Sequence, residues 1–370
     1  MFNYTHLLIA ITIVLLLGGC DRHEPQNKAQ DQNQSSKIEA SGTTESMKVS
    51  ESPGITDNRL NKVRSRGKLL CGVNGQLPGF SVVDENGKYS GMDVDLCRAV
   101  AAALFDNPNQ VEFRNLDTQN RFLAVQSGEV DLLSRNTTWT LSRDTTVGME
   151  FAPTTFYDGQ GLLVTNASKI KGLEDLDGKS VCVLSGTTNE QNLAERMGKL
   201  DLNYTPIVFE DTDILYDAYE QGSCVAATSD RSQLIARRAL LDKPNDHQVL
   251  EVVLSKEPLA AVTVNDDAQW SDVVKWVVYA MIEAEELGIN SRNVASFAKS
   301  KDPEIRRFLG LEGNLGQNME LPNDFTQRIV KHVGNYGEVY DRNLGQPFGL
   351  RRGLNALWTD GGLMYAPPFR

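Results

Sequence analysis

The chain has 370 residues, 40% hydrophobic and 23% charged, which is ordinary for a globular protein and long enough for about two domains. Its formal net charge of −12 offers no basic stripe to release phosphate counterions, so nucleic-acid binding is excluded.

Residues 7–17 are an apolar run, shorter than the roughly 20 residues a membrane span needs, and they lead into Leu17-Gly18-Gly19-Cys20. Small residues before a cysteine resemble a bacterial lipoprotein signal. Residues 1–20 are therefore expected to be a signal peptide, with lipidation at Cys20 and a periplasmic location. The six residues before the run carry no Lys or Arg, and a plain signal peptide or an uncleaved anchor are the alternatives. Residues 21–59 are rich in Gln, Asn, Ser, Thr and Glu and poor in large apolar side chains, which predicts a disordered polar tether.

An exported chain meets an oxidising compartment, and four cysteines besides Cys20 allow three pairings. Cys71–Cys97 and Cys182–Cys224 are bridges that would each stay inside one predicted domain, with buried free thiols as the alternative. No Cys-x-x-Cys or histidine cluster is present, so neither a metal site nor a cofactor is expected.

The folded body starts near Leu60. Residues 69–73 read as an apolar strand followed by a Gly/Pro loop to Phe80. Residues 91–104 read as a helix with Met92, Leu96, Val100 and Ala103 on one face and acids in its first turn. A strand at 111–113, a helix at 118–127 and a strand at 130–133 follow. That strand opens into the polar run Ser134 to Asp144, where an arginine fork and several hydroxyls suit the fixing of a small carboxylate. An ordinary polar loop is the competing reading.

A second series begins at 162–165, read as a strand leaving the first domain. Residues 180–184 form a strand, and the Ser185-Gly186-Thr187-Thr188 turn opens a helix over 189–197. Strand, tight turn and helix N-terminus make a seat for an anion, without the glycine spacing or lysine of a nucleotide loop. Helices at 213–220 and 231–240 flank a strand at 224–228, with Asp230 at its exit. Strand-like runs at 249–254 and 259–264, a long helix at 267–287 and one helix over 326–340, interrupted at Gly334 and Gly337, complete the pattern. Strands alternating with helices predict an α/β fold with a largely parallel sheet.

Several stretches are specific enough to resemble a known family. They are Gly91-Met92-Asp93-Val94-Asp95-Leu96, Asp131-Leu132-Leu133-Ser134-Arg135-Asn136-Thr137-Thr138-Trp139-Thr140, and Gly353-Leu354-Asn355-Ala356-Leu357-Trp358. Over residues 63–370 the chain resembles the periplasmic solute-binding proteins of polar amino-acid ABC importers, and among them the general L-amino-acid-binding subgroup. Met92 departs from the usual Phe, Tyr, Ile or Leu, a volume-conserving change. The resemblance implies two lobes joined by two crossover strands as a hinge. Residues 60–161 and 258–300 would form lobe 1, residues 162–257 lobe 2, and residues 301–370 a C-terminal extension docked on lobe 1.

The resemblance also implies a site. Arg143 would hold the α-carboxylate of an amino acid, with Asn136 and Thr138 beside it. Thr188 and the Gly186 turn would meet the carboxylate from lobe 2, and Asp230 would take the α-ammonium. Phe80 would cover the ligand, and Arg135 and Gln76 could line the side-chain pocket. The alternatives are a surface pair of Arg143 with Asp144, and Asp230 as a helix cap. The function implied is capture of L-amino acids for an ABC permease, from a position tethered to a membrane through Cys20. The other classes weighed are a partner of a sensor system and a dehydratase-like enzyme of the same fold. No histidine or nucleophile motif supports the enzyme.

Overall fold

The computed structural model describes residues 58–370, so the signal peptide, Cys20 and almost all of the tether lie outside the described residues. Folding begins with helix α1 (Arg59–Arg66), whose N-terminus is capped by the Asn58 side chain and whose end is closed by left-handed Gly67. Of the strands that follow, eight form the main path of the large sheet: β1 (Leu69–Val73), β2 (Val111–Asn115), β3 (Leu132–Thr138), β4 (Phe156–Thr165), β5 (Lys179–Leu184), β6 (Tyr204–Phe209), β7 (Ala226–Asp230) and β8 (Lys256–Val264). Among the described residues they belong to one ten-stranded sheet, ordered β6-β5-β7-β4-β8-β3-β1-β2, with His247–Val249 paired to β4 and Met149–Phe151 to β8.

Two parallel sets sit at the ends of this order. β1 pairs with β2 and β3, and β5 pairs with β6 and β7. Between them run β4 and β8, antiparallel to each other and to the set each enters. The sheet is thus two α/β lobes sharing two crossover strands. In lobe 1 it is covered by α2 (Met92–Phe105) and α3 (Arg121–Ser127). In lobe 2 it is covered by α4 (Thr188–Lys199), α5 (Thr212–Glu220) and α6 (Arg231–Arg238).

Helix α7 (Ala268–Glu286) follows β8 and points Trp270, Val273, Val274 and Val277 into the lobe 1 core, each fully buried. Burying one such side chain stabilises the fold by about 1.5–3 kcal/mol. Helices Phe325–His332 and Tyr336–Tyr340 contribute Phe325, Ile329, Val330 and Val339 to the same core. The interruption read at Gly334 is a full break, because Gly334 takes φ 96° and Asn335 starts a new helix with a capping box to Glu338, whereas Gly337 lies inside that second helix. The tail ends with Phe369 edge-on to Trp276 and Phe308, at ring distances of 5.0 and 5.2 Å.

The stretch Gly91–Leu96 now has a physical reading. A Cβ on Gly91 would lie 2.0 Å from the Phe80 carbonyl oxygen, so the chain can pass there only as glycine. Asp95 accepts hydrogen bonds from Arg342 Nε (2.9 Å) and Asn343 Nδ2 (2.7 Å), fastening the C-terminal helices to α2. Disulfides join Cys71 to Cys97, linking β1 to α2, and Cys182 to Cys224, linking β5 to the residues just before β7.

Four strands differ in extent from the sequence reading as follows. The polar residues 134–138 continue β3, since Thr137 and Thr138 pair with Ala260 and Leu259 of β8. β4 starts at Phe156 and β8 at Lys256, because the two pair across Phe156–Gly159 and Lys256–Leu259. The strand read over 249–254 ends at Val249.

Candidate functional site

Where β1, β3, β5 and β7 end, the lobes face each other across a polar space lined by residues of both. The cleft is shut. Thr118 Oγ1 of lobe 1 donates to Ser185 O of lobe 2 (2.7 Å), and Arg121 Nη2 donates to Gly186 O (3.4 Å). Thr138 and Thr188 hydroxyls meet at 3.3 Å, and Asn136 Nδ2 reaches Asp230 Oδ2 at 3.5 Å.

The polar run supplies the lobe 1 wall. Arg135, Asn136, Thr138 and Arg143 all line the space. Asn136 sits at φ 37°, a left-handed conformation uncommon for a residue with a side chain. It is held there by Asp93 of α2, whose carboxylate accepts from Asn136 N (2.9 Å) and Ser134 Oγ (3.1 Å). Burial pushes the Asp93 carboxyl up to about 7, against the pull of Ser134, Asn136 and Arg135. Arg143 donates to Thr138 O (2.8 Å) and lies 5.5 Å from the Phe122 ring centre, while Asp144 accepts instead from Trp139 Nε1 (2.9 Å).

Three guanidinium groups enter one pocket. Arg121 joins Arg135 and Arg143, and all three are buried. Burial lowers the Arg121 pKa well below its ordinary range, and its neighbours Arg135 and Arg143 lower it further. Arg135 is drawn down to about 10, chiefly by burial. Such a cluster is stable only beside compensating negative charge. Arg121 Nε and Asn136 Oδ1 are buried with no partner in the protein, and both residues line the space.

The lobe 2 wall carries the acid. Asp230 accepts from Gln233 Nε2 (2.9 Å) and Asn189 Nδ2 (3.1 Å), and makes no capping bond to α6. Burial raises its pKa well above the ordinary carboxylate range, and the charges of Asp158 and Glu257 raise it further. Asp158 of β4 and Glu257 of β8 are cross-strand partners. At the turn before α4, Thr187 is the helix cap, leaving the amides of Thr188 and Asn189 at the first two helical positions without an intrahelical acceptor. The Gly186 amide is already taken by Glu190 Oε2 at 3.0 Å.

Glu257 alters what the threonines can offer. Its Oε2 accepts from Thr138 Oγ1 (2.6 Å) and Thr188 Oγ1 (2.8 Å), and its Oε1 accepts from Asn192 Nδ2 (2.8 Å) and Ser255 Oγ. A hydroxyl has one proton, so both threonines face the cavity as acceptors. In this geometry carboxylate donors are the arginines and the α4 amides.

Phe80 does not reach the polar space. It is 2% exposed, packs edge-on against Phe156 at 5.4 Å, and leaves Leu77 as the apolar lining from that loop. Gln76 also stands outside, where its Nε2 donates to Asp211 Oδ2 (2.9 Å) and its carbonyl accepts from Arg237, tying the lobes at the rim. Arg121, Gln233, Asn189 and Glu257 were missed in sequence. Arg121 had a signal, since a cation at the first position of a helix opposes the dipole and needs another reason to be there. Glu257, between Lys256 and Pro258, reads as a surface charge until the β4–β8 pairing buries it.

Two α/β lobes on two crossover strands, shut over a cavity lined by three arginines and one aspartate, define a receptor for small charged solutes. The chain belongs to the bacterial extracellular solute-binding proteins, family 3, whose family model matches residues 69–309. It is 46% identical over 315 residues to the general L-amino acid-binding periplasmic protein AapJ of Rhizobium johnstonii, covering 84% of this chain and 92% of that protein. It is 46% identical over 314 residues to the glutamate/glutamine/aspartate/asparagine-binding protein BztA of Rhodobacter capsulatus, covering 84% and 93%. Among solved structures it is similar to an ABC transporter periplasmic binding protein from Brucella ovis with glutathione bound. The TM-score is 0.83 with 44% identity, covering 85% of this chain and 99% of that one.

Proposed function

We propose that this chain captures free L-amino acids in the periplasm and delivers them to an ABC permease, and that amino acids with acidic side chains are among its ligands. The observation that carries the reading is the shut cavity itself, where an excess of buried guanidinium groups and an unpartnered Arg121 Nε face Asp230. A zwitterion offers each wall the charge it lacks. Arg143 and the Thr188 and Asn189 amides take the α-carboxylate, and Asp230 takes the α-ammonium, with the Thr138 and Thr188 lone pairs as further acceptors. Arg121 and Arg135 take a side-chain carboxylate. Neither lobe satisfies both ends of the ligand alone, so binding favours the shut state by differential affinity. The relatives AapJ and BztA support the ligand class, and the roles proposed are those of binding, not of catalysis.

Tethering through a lipidated Cys20 belongs to the same proposal, and the mass of the mature N-terminus tests it. The capture function is tested by thermal unfolding against a panel of L-amino acids. A ligand at a hundredfold excess over Kd adds about 2.7 kcal/mol of stability. Arg143→Ala is expected to abolish that response while the ligand-free chain still unfolds cooperatively. A panel in which no amino acid shifts the transition overturns the reading.

A further inference from the structure

The C-terminal stretch Gly353–Trp358 takes no part in the cavity, yet one of its side chains is bonded to a hinge strand. Asn355 is 4% exposed, and its amide forms two hydrogen bonds to the backbone of Tyr157 in β4. Tyr157 N donates to Asn355 Oδ1 (2.7 Å), and Asn355 Nδ2 donates to Tyr157 O (3.0 Å). On one edge of β4, Tyr157 lies opposite Pro258 of β8. On the other, β7 reaches only as far as Gln160. The Asn355 amide thus stands in for the strand residue that β7 does not provide.

The asparagine is held from lobe 1. Arg352 Nε donates to Asn355 O (2.7 Å), and the same guanidinium pairs with Glu285 of α7 at 2.9 and 3.1 Å. It also lies about 5 Å from the rings of Tyr336 (5.1 Å) and Tyr340 (5.0 Å). Two residues before Tyr157, the Tyr336 hydroxyl donates to Thr155 O (2.8 Å), a second tie from the same C-terminal extension.

One residue further along β4 the allegiance changes. Asp158 accepts from Ser232 N (3.2 Å) and the Ser232 hydroxyl in lobe 2. In β8, Pro258 O accepts from Trp139 N of lobe 1 (2.8 Å), and the adjacent residue, Glu257, is shared, accepting from Thr138 of lobe 1 (2.6 Å) and from Thr188 and Asn192 of lobe 2 (2.8 Å each).

We propose that Asn355 is a positioning residue for lobe closure: by fastening Tyr157 to lobe 1 it confines the bend of β4 to the residues from Asp158 onward, and so fixes the pivot that brings Asp230 against Arg143. The C-terminal extension is then part of the hinge as well as of the core. Without this grip β4 can bend anywhere from Tyr157 upward, the ligand-free chain samples wider openings, and the shut geometry is a smaller fraction of its population. Apparent affinity falls by that fraction.

The test compares Asn355→Ala and Asn355→Asp with the unaltered chain. The aspartate keeps an acceptor for Tyr157 N but cannot donate to Tyr157 O. Small-angle scattering of the ligand-free proteins reads the opening, hydrogen exchange reads the Tyr157 amide, and calorimetry reads Kd. The expected result for the alanine variant is a larger radius of gyration without ligand, the unaltered radius when saturated, faster Tyr157 exchange, and Kd weakened about threefold or more. The aspartate variant is expected to fall between.

A folded alanine variant with unchanged ligand-free scattering overturns the proposal. If that variant does not fold, Tyr336→Phe, which removes only the hydroxyl bond to Thr155 O, must widen the ligand-free form or the proposal fails. The scattering arm needs no ligand, so it stands or falls separately from the amino-acid reading.

Discussion

Asp230 is the acid on which the ammonium end of the proposed clamp depends. In Asp230→Asn the side chain keeps its size, and Asn189, Gln233 and Asn136 can still surround it. What it loses is the negative charge facing a buried ammonium. Removing one partner of a buried, hydrogen-bonded charge pair costs about 2–5 kcal/mol, so Kd should weaken by between about 30-fold and a few thousandfold. The same carboxyl links binding to protons. Burial in the shut cavity, then the charges of Asp158 and Glu257, raise its pKa, so over the interval between its ordinary value and the raised one it is protonated in the shut form before ligand occupies the cavity. An arriving ammonium favours the ionised form, and a proton is released on binding. Affinity therefore rises with pH through that interval, by up to about tenfold per unit, and levels off above the raised pKa. Calorimetry in buffers of different ionisation enthalpy counts the protons released. The reasoning is refuted if the unaltered chain releases none and the Asn variant binds an amino acid equally well.

Two more outcomes follow from the buried charges. Arg121→Gln removes one of the guanidiniums proposed for a side-chain carboxylate, at about 1.5–3 kcal/mol for a charged hydrogen bond. The ratio of Kd values for glutamate against a neutral amino acid should shift toward the neutral one by about tenfold or more, and a ratio unmoved in competition calorimetry rejects that role. Asp93 has a carboxyl raised from 3.8 to about 7, so the stability it contributes is fully present below its ordinary pKa and is lost as pH rises through about 7. That loss is about 4 kcal/mol for a shift of this size. Asp93→Asn, which can still accept from Asn136 N and meet Ser134, should flatten this fall in denaturant titrations at pH 5 and pH 8. An equally steep fall in the variant would place the dependence elsewhere.

Much of this protein was legible in its sequence because the signals are local. Periodicity marks α2 and α7, the glycine and hydroxyl turn marks the start of α4, and the run from Ser134 to Asp144 concentrates polar chemistry that no core strand needs for packing. Arg143, Asn136, Thr138, Thr188, Asp230 and Arg135 all line the cavity between the lobes. The tertiary structure decided what depends on residues far apart in sequence. Phe80 and Phe156 are 76 positions apart by their numbers, and only their packing shows that the ring belongs to the core. Glu257 takes its place from the pairing of β8 with β4, which buries it and turns two threonine hydroxyls from donors into acceptors. Asn355 meets Tyr157 only because the C-terminal extension folds back over lobe 1. A side chain's type is written locally, whereas its charge state and the direction of its hydrogen bonds are set by whichever distant segments surround it.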